Sequence, residues 1–352
     1  MSAPSPAVLR RLVEAMPKAE LHLHLDGSLR IDTALDLARS RGIDAPRDWA
    51  GMFDALVGPE RCADQAELLR AFALPIALMQ DAEALERIAY ELVASKAADR
   101  VRYVEVRWGP LLHVVRGLSL ADGIAAVVRG GRRAAEREEV IVRFIATALR
   151  SHDPADNRTL AETAAGFRDD GLTGFDLAGA EEAFPDPLAH RAAFEAARAG
   201  GLRITLHAGE WGGAAQVRRA LDVRPERIAH GPLAIEDPEL CRELTYRGVT
   251  LDLCPTSNVQ AGIVPSVEAH SLVALHRSGV PVTLSTDDAT VSNVSLSDEY
   301  ERAVTRIGLT LPELWAIDRH ALSVAFAEPA VLAPLQAEFE AWGAGIPELA
   351  PS

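Results

Sequence analysis

At 352 residues, 48% apolar and 25% charged, the chain has an ordinary globular composition and the length of one large α/β barrel or two smaller domains. Its formal net charge of −15 argues against nucleic acid or an anionic membrane surface as partner, since binders of either gather Lys and Arg on one face. Cys62, Cys241 and Cys254 are widely spaced with no Cys-x-x-Cys, which excludes a disulfide framework and makes a reducing compartment, the cytoplasm, the expected location.

The opening "MSAPSPAVLRRLVEAMPKAELHLH" carries no apolar run of signal-peptide length, and no later run approaches a membrane span. Residues 1–12 and 345–352 read as loose ends. Strands are predicted at 18–24, 101–108, 140–148, 172–178, 202–208, 227–230, 249–254 and 281–286. Between them lie segments with helical spacing, among them "LADGIAAVVRGGRRAAEREE", "HRAAFEAARAGG" and "PELCRELTYRG"; the last two end in glycine, a helix stop. Eight strands alternating with helices predict a (β/α)₈ TIM barrel. An open doubly wound sheet would announce a nucleotide loop, and no G-x-G-x-x-G or Walker A follows any strand. The connection over 31–100 is too long for a crossover. With helical stretches such as "DTALDLARSRG", "AELLRAFALPIALMQ" and "DAEALERIAYELVASKAADR", it reads as an insertion after the first strand, serving as a lid or as extra packing on the rim. The whole of 1–352 is expected to be one barrel domain carrying this insertion.

"ELHLHLDG", residues 20–27, puts His22, His24 and Asp26 on one face of the first strand, because strand side chains alternate. Such a pair of imidazoles either grips a divalent metal or shares a face by chance. In a barrel the carboxyl ends of all strands meet at one mouth. The fifth strand ends in "HAGE" with His207 and Glu210, the sixth in "IAHG" with His230, and the eighth in "STDD" with Asp287 and Asp288. Polar residues scattered by chance would fall as often at the amino ends. His22, His24, His207 and Asp287 make a three-imidazole, one-carboxylate donor set with room for a water, a set that suits Zn²⁺ and also iron, cobalt or manganese. His230 is left as a base or electrostatic partner for that water, Glu210 as a proton donor, and Asp288 as an acceptor toward substrate. Taken singly, each has a plainer reading as a core histidine or a helix cap.

"PKAELHLHLDGSL", "YVEVRW", "GFDLAG", "LHAGE", "RIAHG", "CPTSN" and "STDD" follow the order and spacing of the adenosine deaminase family, which the chain resembles from about residue 15 to residue 330. The resemblance implies a mononuclear zinc barrel that removes the 6-amino group of a purine by hydrolysis. It implies His22, His24, His207 and Asp287 as metal ligands and Glu210 as the acid at ring N1. His230 would orient and deprotonate the water, and Asp288 would contact the water and the N7 side. The amide of Gly179 would meet N3, His24 would lie against the substrate as well as the metal, and Asp26 would receive the ribose 5′-hydroxyl. Cys254, with no second cysteine beside it, reads as core, and Ser257 and Asn258 as shaping the mouth.

Three alternatives stand beside this expectation. A binuclear amidohydrolase would need a carboxylated lysine at a strand end, and the chain's two lysines, Lys18 and Lys96, are not placed for it. A non-catalytic binder on the same fold would be expected to lose an acid or a ligand. Within the family, Asp26 favours a nucleoside over adenine, whose deaminases commonly carry Glu there. The helix aligned with the ribose cover offers Gln65, Leu68, Leu69 and Phe72 with Arg70 among them. That leaves room for a 5′-modified nucleoside such as 6-aminodeoxyfutalosine, whose benzoate an arginine would accept. The substrate is expected to be a small purine nucleoside. The oligomeric state stays open.

Overall fold

The computed structural model describes residues 5–349. Eight strands form one parallel sheet in sequence order: β1 Lys18–His24, β2 Val101–Trp108, β3 Ile141–Leu149, β4 Leu172–Ala178, β5 Arg203–His207, β6 Arg227–Ala229, β7 Thr250–Leu253 and β8 Val282–Leu284. Each lies within two residues of its predicted span at either end. The sheet closes on itself: beyond β8, Leu23 and Asp287 form a parallel bridge, with the Asp287 amide on the His22 carbonyl at 3.0 Å. The predicted TIM barrel is what forms.

Strands buried on both faces normally fill a barrel with branched aliphatic side chains. This interior also carries charge. Arg227 on β6, fully buried, pairs with Glu105 on β2 and with Asp252 on β7 at 3.0 Å. Arg107 on β2 donates to the Leu21 carbonyl of β1 at 2.9 Å and reaches Asp176 on β4 at 3.4 Å. Removing one partner of such a buried pair costs about 3–5 kcal/mol, because the survivor is left unpaired in a low dielectric. The network therefore ties the strands bearing the site to one another.

Two expectations are corrected. The predicted loose amino end is a helix, Pro6–Ala15, from its sixth residue on: Leu9 and Val13, four apart, are buried, and Arg10 holds Asp298 at 2.7 Å and Glu301 at 2.8 Å. Residues 1–4 and 350–352 of the expected loose ends lie outside the described residues. Second, the insertion is shorter than 31–100. The helix Ala82–Ala98 is the barrel's own first crossover, packed on the next one, Leu120–Glu138. The approach is so close that a Cβ on Gly130 would lie 2.0 Å from the Glu86 carbonyl oxygen.

What remains inserted are four short helices, Ile31–Arg41, Trp49–Leu56, Gln65–Arg70 and Ala73–Leu78. "AELLRAFALPIALMQ" breaks in two because a continuous helix would drive the Pro75 ring into the carbonyl of residue 71. Trp49–Leu56, capped by Asp48 on the Gly51 amide at 2.9 Å, was not foreseen. The segment at 58–62 is fastened across the loops after β7 and β8. Gly58 donates to the Val291 carbonyl at 2.9 Å and Cys62 to that of Gln260 at 2.7 Å, and Gln260 Nε2 donates to Pro59 O at 3.0 Å. The insertion thus sits on the carboxyl end of the barrel, as a lid would.

Candidate active site

Alternation along β1 points His22 and His24 into the mouth, as the sequence predicted. His24 Nε2 lies 3.3 Å from His22 Nε2, 3.1 Å from His207 Nε2 and 3.3 Å from Asp287 Oδ1. His22 Nε2 is 2.9 Å from the same Asp287 oxygen. Three ring nitrogens and a carboxylate oxygen therefore converge on one point. Three imidazoles and a carboxylate at one point form a donor set that a divalent cation takes. His22, His207, His230 and Asp287 also bring ligating atoms within 4.8 Å of one another, so His230 stands at the edge of the same cluster.

The surroundings fix how these groups present themselves. Asp176 on β4 lies 3.1 Å from His207 Nδ1, so the ring proton sits there and Nε2 offers its lone pair to the centre. Burial would raise Asp176, but His207 beside it and the Arg107 charge outweigh that and hold the carboxyl well below its usual range. Burial, then the Arg107 charge, keeps His22 well below the usual imidazole range, neutral as a ligand must be. Ser257, at the tip of β7, donates to Asp287 Oδ2 at 2.7 Å. Asp287 and His230 both adopt left-handed backbone, at φ 65° and 69°, a conformation that disfavours non-glycine residues and gathers at working sites.

His230 follows β6, with Nε2 at 3.7 Å from Asp287 Oδ2 and 3.9 Å from Glu210 Oε1. Burial pushes Glu210 well above the carboxylate range, helped by Asp287, Glu181 and Asp288, which favours its protonated form. Its loop is gripped by Glu181, which accepts from the amides of Gly209 at 2.6 Å, Trp211 at 2.7 Å and Gly212 at 3.0 Å. Asp288 is buried and likewise pushed up, by burial and by Asp287, and its Oδ1 has no hydrogen-bond partner among the described residues. Gly27 makes room for it: a Cβ there would fall 1.7 Å from that oxygen. Gly179 directly follows β4 at φ 99°, a conformation suited to glycine that leaves its backbone open.

Asp26 is buried at the mouth. Gly109 donates to its Oδ2 at 3.4 Å with His113 Nε2 at 3.8 Å from the same oxygen, and His24 Nδ1 lies 3.6 Å from Oδ1, beyond hydrogen-bond reach. Burial would raise it, but His113 and His24 outweigh that and keep it ionised. Its Oδ1 is free to accept.

Beside Glu210 opens a cleft of about 490 Å³ lined by Arg61, Glu67, Trp211, Leu233 and Ile263. Arg70, which the 5′-modified alternative would engage, is 70% exposed beside Glu67 and is not among the residues lining it. Leu68 packs with Cys62, Ala261, Val291 and Phe72 into a small cluster under the lid.

His22, His24, Asp26, His207, Glu210, His230, Asp287 and Asp288 lie together at the carboxyl end of the barrel, and Gly179 follows β4 at that end. Sequence reading did not single out Arg107, His113, Asp176, Glu181 or His270. Asp176 stands in "GFDLAG", a motif the resemblance rests on, and Glu181 lies just beyond it, but nothing local marks their partners.

Residues 17–341 match the family model described as adenosine deaminase. The chain belongs to the adenosine deaminase family. It is 39% identical over 319 residues to the adenosine deaminase of Vibrio vulnificus, covering 90% of this chain and 96% of that one. Among solved structures, the adenine deaminase of Arthrobacter aurescens superposes with a TM-score of 0.86 at 27% identity, covering 93% of this chain and 99% of that one. An amidohydrolase of Burkholderia ambifaria, with bound Zn, superposes with a TM-score of 0.87 at 27% identity, covering 98% and 96%. This adenosine deaminase family member is therefore a hydrolytic deaminase with a metal-type site, and no helix among its described residues is long and apolar enough to cross a membrane.

Proposed function

We propose that this chain is a zinc-dependent deaminase of purine nucleosides, converting adenosine and 2′-deoxyadenosine to the inosine forms and ammonia. It would work as one cytoplasmic barrel domain with one zinc held by His22, His24, His207 and Asp287. A cation there would supply Lewis acidity, so that a water can act as nucleophile at neutral pH. The observation that carries the reading is Glu210: a buried carboxyl, pushed well up and facing the cluster across His230. Addition of water at C6 destroys ring aromaticity and would build negative charge at N1. Glu210, whose burial favours the protonated form, gives its proton to N1 as that charge develops.

The other residues bind and orient. His230 and Asp288 hold the attacking water on one face of the ring. The Gly179 amide donates to N3. His24 borders the substrate as well as the cation, and Asp26, ionised with one oxygen unengaged, accepts the 5′-hydroxyl of the sugar. Lys96 is committed to Glu20 at 2.9 Å, and Lys18 to the carbonyls of Met16 and Asp99 at 3.1 and 2.7 Å, which favours a mononuclear over a lysine-bridged binuclear site.

A spectrophotometric comparison of adenosine, 2′-deoxyadenosine, adenine, 5′-methylthioadenosine and 6-aminodeoxyfutalosine tests the reading. Adenosine and deoxyadenosine are expected to lead, and Asp26→Ala to raise KM for both nucleosides more than for adenine. A metal-loaded protein inert to all five would overturn it.

A further inference from the structure

His230 belongs to a buried chain of hydrogen bonds whose direction is set at its far end. The backbone amide of Leu272 donates to His270 Nδ1 at 3.1 Å. An amide N–H cannot accept, so His270 Nδ1 is bare and its proton lies on Nε2. That Nε2 contacts Asn258 Oδ1 at 3.1 Å, which must accept from it. The Asn258 amide is thereby oriented, and its Nδ2 donates to His230 Nδ1 at 3.0 Å. His230 Nδ1 is then the bare nitrogen, leaving Nε2 to carry the ring proton.

From this chain we infer that Asn258 and His270 are positioning residues that lock His230 as the Nε2–H tautomer, making it a hydrogen-bond donor toward the attacking water. The part concerning water rests on the proposed deaminase reading; the tautomer rests on geometry alone.

Two observations agree with the assignment. His230 Nε2 is buried with no hydrogen-bond partner among the described residues, and it faces Asp287 Oδ2 at 3.7 Å and Glu210 Oε1 at 3.9 Å. An N–H there faces the Asp287 carboxylate, whereas a bare lone pair would set two lone pairs against each other. Burial also pushes His270 down to about 3, so this ring stays neutral and can relay a direction. The relay is fully buried: Asn258 and His230 are at 0% exposure and His270 at 5%. A double protonation of His230 would demand a flipped Asn258 and a proton on His270 Nδ1 facing the Leu272 amide.

The test is a long-range ¹H–¹⁵N correlation on the zinc-loaded full chain labelled with ¹⁵N-histidine, with His230 assigned by the signal lost in His230→Asn. A pyrrole-type Nε2 and a pyridine-type Nδ1 are expected; the reverse pattern, or protons on both nitrogens at neutral pH, overturns the inference. Asn258→Asp offers an acceptor to both imidazoles and should move the His230 proton to Nδ1. With the donor gone, kcat for adenosine should fall roughly 100-fold or more, while KM moves little. An Asn258→Asp protein that keeps Nε2–H overturns the relay, and so does one that flips the tautomer with unchanged kcat. His270→Gln, whose amide can both donate and accept, should give mixed tautomers; a single unchanged tautomer counts against the relay. A protein with Nε2–H that deaminates no purine would instead overturn the proposed function and leave the tautomer standing.

Discussion

The amide of Asp287 donates to the carbonyl of His22 at 3.0 Å, and the amide of His24 donates back to the carbonyl of Asp287 at 2.8 Å. The first strand and the loop after the last are thus sewn together at the metal cluster itself, so barrel closure and ligand geometry are one object. Metal binding should then be read out as stability. Loading with zinc at about 100 times its Kd is expected to add about 2.7 kcal/mol, and a chelator to lower Tm correspondingly. Identical melting curves with and without chelator would count against a metal at this seam.

Asp176 acts on the cluster through His207. Asp176→Asn keeps the shape but loses the anion that holds the Nδ1 proton 3.1 Å away. Zinc affinity is expected to drop about 10- to 100-fold, measurable by competition with a chromogenic chelator. Because Arg107 also loses its partner, some loss of stability is expected beside it.

Glu210 is not among the converging ligands, so Glu210→Gln should bind zinc as the parent does. Its turnover of adenosine should fall by about 10²- to 10⁴-fold, the usual weight of a general acid. Full metal content with near-parent kcat would remove Glu210 from the reaction.

Gly27→Ala tests the placement of Asp288. The backbone there accepts alanine, yet the new Cβ would fall 1.7 Å from Asp288 Oδ1, so the carboxylate must move. A displacement of this size is expected to lower kcat/KM by about 10²-fold with the metal retained. An unaffected kcat/KM would show that Asp288 needs no fixed position.

Asp318 gives the fold a pH dependence away from the cluster. It accepts from the Ala19 amide at 2.9 Å and the Tyr300 hydroxyl at 2.7 Å, and burial pushes it up to about 7. In the unfolded chain an aspartate ionises near 3.9. Between those values the native state holds more protons than the unfolded one, so stability falls as pH rises. The contribution is full below about pH 4 and lost through pH 7. Asp318→Asn keeps an acceptor and removes the titration. Its stability relative to the parent, from urea unfolding, should improve between pH 5 and pH 8; a constant difference would refute the shift.

Much of this protein could be read from its sequence because the informative patterns are local. A buried strand shows itself within a few residues, and a polar group at its carboxyl tip has only one place to go in a closed barrel. That is why the sequence alone gathers His22, His24, His207, Glu210, His230, Asp287 and Asp288. The errors were local patterns with two meanings: helical periodicity did not separate the crossover Ala82–Ala98 from the insertion before it, nor show that Leu9 and Val13 dock.

Tertiary structure alone decided what each functional group is bonded to. Asp176 and His207 stand 31 residues apart on neighbouring strands, and Asn258 and His230 stand 28 apart, in segments that follow β7 and β6, so strand spacing sets both contacts. Hydrogen bonds act over about 3 Å, so partner choice, and with it tautomer and protonation, exists only once the barrel has closed.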